Sequence, residues 1–148
     1  MAELKRILLV EDARHDVELI TAALAEHHLA NEVIIARDGQ QALDYLFREG
    51  QYSERTDGNP AVVLLDLRLP KVDGLEVLAR IKADVELKVI PVVMLTSSRE
   101  DQDLAKSYNL GVNAYVVKPI NFQEFVEAIK QVGLFWAVLN QPPPDILD

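Results

Sequence analysis

The sequence predicts an α/β protein built on an open, doubly wound parallel sheet of five strands in the order 2-1-3-4-5. Three observations lead to that class. The runs Ile7-Leu8-Leu9-Val10, Ala61-Val62-Val63-Leu64-Leu65, Val92-Val93-Met94-Leu95 and Tyr115-Val116-Val117 show no alternation of apolar and polar residues. Strands without a solvated face belong in the middle of a parallel sheet that helices cover on both sides. Longer segments of helical period separate the runs, which is the pattern of repeated strand–helix units. Reactive side chains also stand at the ends of four of them: Glu11 and Asp12, Asp66, Thr96 and Lys118.

Taken in order, strands are expected near 5–10, 31–36, 61–66, 91–96 and 114–118, with helices near 14–28, 39–49, 74–83, 99–109 and 121–138. Gly39 and Gly74 stand at helix starts, and Gly111 stands just past a helix end, where a positive φ is cheap for glycine. Asn121 precedes Phe122-Gln123-Glu124 and is placed to cap the last helix, with Glu124 at the reciprocal position. That helix carries Phe122, Phe125, Val126, Ile129 and Val132 at spacings of three and four, a stripe that faces a core. The stretch from Gly50 to Pro60 is long, polar and glycine-bearing, and reads as an exposed loop.

The 148 residues suit one domain with one core. It is expected over 1–140, with a core over 5–132 and an apolar helix extension over 133–140, followed by a proline-rich acidic tail over 141–148. No apolar run approaches the ~20 residues that span a bilayer, so no membrane role is expected. Met1 to Arg6 is too short and too soon interrupted for a secretory signal. The absence of cysteine removes disulfides and thiolate metal sites and points to the cytosol. A net charge of -9 argues against nucleic acid as a partner, although acidity alone names no partner.

In such a sheet the carboxyl ends of the strands form the binding crevice. Three acids, one hydroxyl and one ammonium, far apart in the chain, should therefore meet at one rim. Carboxylates ~4 Å apart repel by about 1 to 4 kcal/mol, so the three need a cation. Mg2+ suits hard oxygen ligands combined with phosphate oxygens, whereas no His or Cys accompanies the acids at a zinc spacing. An aspartate can be a nucleophile and form an aspartyl phosphate. The assignment that follows has Asp66 as phosphoacceptor, Glu11 and Asp12 on the metal with the backbone carbonyl of Arg68, Lys118 on one phosphoryl oxygen and Thr96 on another. Singly, each of these residues has a plainer role. A Glu-Asp pair after a strand makes a turn, Thr96 with Ser97 and Ser98 can cap a helix, and Lys118 can bridge an acid. Their joint position at the ends of four strands favours the chemical reading.

The segments Leu9-Val10-Glu11-Asp12, Leu64 to Pro70, Asp73-Gly74, Met94 to Ser98, Gly111 to Tyr115 and Val117-Lys118-Pro119, in this order and spacing, resemble the receiver domains of two-component response regulators over roughly residues 5–132. The resemblance implies a flavodoxin-like receiver fold and a signalling switch in place of an enzyme. A sensor histidine kinase donates the phosphoryl group, and the receiver assists only its own phosphorylation and dephosphorylation. It implies a cis bond before Pro119, and a switch in which Thr96 moves to the phosphoryl group and Tyr115 turns inward. Arg68, two residues after Asp66, departs from the smaller polar residue of many relatives and leaves the phosphate lifetime open. The loop from Gly50 to Pro60 and the Phe135-Trp136 tail resemble the small stand-alone regulators paired with bacterial phytochrome kinases. Leu134, Phe135, Trp136 and Leu139 either finish the core or form a homodimer interface.

Three other functions fit the topology less well. An adapter that never takes phosphate should lack one of Glu11, Asp12, Asp66, Thr96 or Lys118, and all are present. A hydrolase of the haloacid-dehalogenase type wants a second acid two residues after the nucleophile, where Arg68 stands. A flavin carrier wants a Ser/Thr/Gly phosphate loop, where the chain has Ala13-Arg14-His15-Asp16. His15, His27 and His28 are given no role.

Overall fold

The computed structural model describes residues 4–97 and 111–139. Five parallel strands, β1 (Leu4–Val10), β2 (Ala30–Ala36), β3 (Val62–Asp66), β4 (Val92–Thr96) and β5 (Ala114–Val117), form one sheet in the order β2-β1-β3-β4-β5. The described helices are α1 (Arg14–Glu26), α2 (Gly39–Phe47), α3 (Gly74–Ala83) and α4 (Phe122–Leu139). The helix expected near 99–109 and the tail over 141–148 lie outside the described residues, as do the side chains of Val132, Leu134, Phe135, Trp136 and Leu139.

Because side chains alternate along a strand, the buried runs split cleanly between two faces. Ile7, Leu9, Val62, Leu64, Val93 and Leu95 pack with α1 and with Phe125, Val126 and Ile129 of α4. Leu8, Val10, Val63, Leu65, Val92 and Met94 pack with α2 and α3 on the other face. β3 and β4 are buried at every position, which is why no alternation marks them in sequence.

Several ends differ from the sequence reading by a residue or two, and each difference has a local cause. α1 stops at Glu26, and His28 follows at φ 53. α2 stops at Phe47 because Arg48 takes the left-handed conformation, its N–H closing on Asp44 or Tyr45 carbonyls. The loop from Gly50 to Pro60 is mostly exposed, yet it holds a 3₁₀ turn (Gly50–Tyr52) and one buried cation, Arg55. Its guanidinium lies 4.0 Å over the Tyr45 ring and donates to the carbonyls of Tyr45 and Gly58. Asn121 does cap α4, its Oδ1 accepting from Glu124 N at 3.0 Å, and Gly111 does sit at φ 69.

Candidate functional site

The rim at the carboxyl ends of β1, β3, β4 and β5 gathers the residues that the sequence singles out. Register puts Val10, Leu65, Met94 and Tyr115 in one row across these strands, so the residues that follow emerge side by side. Glu11 is anchored by its backbone, whose N–H donates to the Ala36 carbonyl, while its Oε2 accepts from Ala13 N at 3.1 Å as α1 begins. Asp66 ends β3; its Oδ1 accepts from Arg68 N at 3.2 Å, which fixes the carboxylate against the turn into α3. Gly74 opens α3 so close to that turn that a Cβ would collide with the Asp66 carbonyl oxygen. Only glycine lets the helix start there.

One carboxylate oxygen from each of Glu11, Asp12 and Asp66 lies within 4.8 Å of the others. Glu11 and Asp66 are buried and Asp12 is exposed at the mouth. The Lys118 Nζ reaches across from β5 to Glu11 Oε1 at 2.7 Å and Asp66 Oδ2 at 3.1 Å. Lys118 N also donates to the Thr96 carbonyl at 2.6 Å, and the Lys118–Pro119 bond is cis.

Charge follows from this geometry. Burial, reinforced by the hydrogen bond and charge of Asp66, pushes the Glu11 carboxyl up to about 7 in spite of Lys118. Burial pulls the Lys118 ammonium down, but its bonds to Glu11 and the charge of Asp66 outweigh that and hold it above the ordinary lysine range. One lysine is thus too little positive charge for this cluster. Hard carboxylate oxygens at this spacing fit a divalent cation of the Mg2+ or Mn2+ kind.

Thr96 is buried at the end of β4, and its Oγ1 has no hydrogen-bond partner among the described residues. A buried hydroxyl left so costs about 1–3 kcal/mol, which a ligand oxygen would relieve. Tyr115 is half buried with its hydroxyl out of solvent, and burial raises its pKa. Arg68 is exposed at the lip of a cavity of about 430 Å³ that Asp12 and Asp73 also line. His15 is exposed, and His27 rests against the Phe122 ring at 5.7 Å, so neither enters the site. One participant escaped the sequence reading: Asp16, in the first turn of α1, holds Lys118 Nζ at 3.2 Å. Its only sequence signal was an acid five residues after Glu11 at a helix start, a common place for a solvated carboxylate.

The sequence pattern of the response regulator receiver domain matches residues 7–130. The chain belongs to the response regulator receiver family. Relatives sharpen the position of this receiver. The structure of the bacteriophytochrome response regulator RtBRR superposes with a TM-score of 0.84 at 63% identity, covering 96% of this chain and 86% of that one. Response regulator Rcp1 of Synechocystis sp. is 42% identical over 132 residues, 89% of this chain and 88% of its own length. Its Mn2+-bound structure has a TM-score of 0.75 at 41% identity, covering 94% of this chain and 99% of that one. The phosphorylated cyanobacterial phytochrome response regulator RcpA has a TM-score of 0.77 at 44% identity, covering 96% and 99%. The receiver is a signalling domain with an acidic cluster suited to a divalent metal, and several of its relatives are phytochrome response regulators.

Proposed function

We propose that this receiver takes a phosphoryl group onto Asp66 from the phosphohistidine of a sensor kinase, with Mg2+ bound at Glu11, Asp12, Asp66 and the Arg68 carbonyl. The observation that carries the reading is the Lys118 ammonium, drawn between the Asp66 and Glu11 carboxylates at the edge of a three-acid cluster. The cation, once bound, neutralises the acids and the phosphoryl oxygens. An Asp66 oxygen forms the new bond to phosphorus as the N–P bond of the donor breaks, and the donor imidazole regains a proton from solvent. Lys118 holds one phosphoryl oxygen, and the buried Thr96 hydroxyl donates to another. The Arg68 N–H already on Asp66 keeps the carboxylate aimed during transfer.

Water later hydrolyses the acyl phosphate at the same centre, so the chain acts only on itself. Phosphorylation shifts the balance between two packings around Thr96 and Tyr115. The donor is proposed to be a phytochrome-type kinase, on the strength of the relatives' association, acting in the cytosol where ATP is supplied. The domain is proposed to extend over 1–140, with the residues past 132 forming the contact of a homodimer. Asp66→Asn should abolish acid-labile phosphate incorporation from acetyl phosphate in Mg2+, while leaving the fold intact; unchanged labelling ends the assignment.

A further inference from the structure

Lys118 Nζ touches three carboxylates: Glu11 at 2.7 Å, Asp66 at 3.1 Å and Asp16 at 3.2 Å. Only the Asp66 contact has hydrogen-bond geometry, and Glu11 and Asp16 hold the ammonium as close ion pairs. A phosphoryl oxygen arriving at Asp66 must compete with these carboxylates for the Lys118 charge. The three are not equally able to withdraw. The Glu11 side chain is 0% exposed and fixed by Ala13 N, and Asp66, at 5%, is itself the acceptor. Asp16, at 19%, sits on the first turn of α1 and can turn its carboxylate to water.

We infer that Asp16 is a resting-state latch: it holds Lys118 in an ion pair in the unphosphorylated protein and yields it to the incoming phosphoryl group. The inference rests on Asp66 being the phosphoacceptor. Asp16 is thereby a positioning residue, acting on the phosphoryl group through Lys118. Its effect is to oppose phosphoryl binding, because the released carboxylate must be resolvated while its negative charge stays near the new one. Glu18, on the same helix, is paired to Arg14 at 3.3 Å and has no contact with Lys118, so it supplies a charge control.

The test loads the full chain with Mg2+, titrates it with beryllofluoride under amide NMR, and separately measures labelling rate against acetyl phosphate concentration. Asp16→Asn should tighten beryllofluoride about fivefold, the scale of a partly exposed ion pair. It should lower the half-saturating acetyl phosphate by a similar factor and leave the saturating rate unchanged. Asp16→Ala should tighten binding at least as much, and Glu18→Gln should change neither quantity. Unchanged or weaker binding in both Asp16 variants overturns the latch, as does an equal gain in Glu18→Gln. Failure of the wild-type chain to take up beryllofluoride, or uptake that survives Asp66→Asn, overturns the phosphoacceptor reading and the latch with it. Wild-type uptake lost in Asp66→Asn, with Asp16→Asn indistinguishable from wild type, overturns the latch alone.

Discussion

Under the proposed assignment, Glu11 is the residue that links the fold to the metal. Its carboxyl moves from 4.5 to about 7 on burial beside Asp66. Between those values the folded chain holds a proton that the unfolded chain has released. The metal-free fold therefore has a contribution that is fully present below pH 4.5 and is lost as pH rises through 7. A divalent ion must displace the same proton, so Mg2+ affinity should climb as pH rises from 6 to 7 and level off above about 8. Calorimetric titration in buffers of different ionisation enthalpy should detect a fraction of a proton released per ion near pH 7. Glu11→Gln should weaken binding and flatten the pH profile, and a wild-type profile flat between pH 6 and 8 refutes the shift. Most of this site was legible in sequence, because strand ends of a parallel sheet converge and Glu11, Asp12, Asp66, Thr96 and Lys118 are all strand-end residues. Asp16 was not, since a carboxylate on the first turn of a helix looks the same whether it meets water or a lysine.

Elements were legible to the degree that burial patterns them. β3 and β4, buried throughout, begin and end within a residue of their apolar runs. The end of α2 was not legible, because Arg48 at φ 56 does what glycine ordinarily does. The connection from α2 to β3 is the exposed loop that the sequence indicates, but its order was not legible, because it comes from Arg55, a residue type that ordinarily stays solvated. Tyr45 makes the burial tolerable by offering a ring face and a backbone carbonyl, and Asp57 Oδ1 accepts from Arg55 at 2.8 Å. That hydrogen bond from Arg55 holds the Asp57 carboxyl below its usual range. Arg55→Ala strips the guanidinium from these carbonyls and from the ring, and should cost about 2–4 kcal/mol. Urea denaturation should register the loss, while labelling of Asp66, at the opposite end of the strands, stays at the wild-type rate. A loss under 0.5 kcal/mol, the usual scale of a surface change, would mean that Arg55 only decorates the loop.

For the molecule as a whole, the proposal that bears on assembly is that a second copy covers the end of α4. Its 18 residues run about 27 Å, whereas the four residues of β5, the edge strand beside it, run only about 13 Å. The first half of the helix, through Ile129, is spent on the core with α1. The second half carries Leu134, Phe135, Trp136, Val138 and Leu139 in sequence, an apolar stretch of the kind that favours association. A second copy offering the same stretch satisfies both chains at once, as a two-fold interface requires. Light scattering should therefore give a mass near 33 kDa, twice the 16.6 kDa chain. Trp136→Glu should bring it to the single-chain value without loss of Asp66 labelling, because the acceptor rim lies on the strand ends and not on this stretch. A mass of one chain for the wild type, both with and without beryllofluoride, would show that the helix end folds back and finishes its own core.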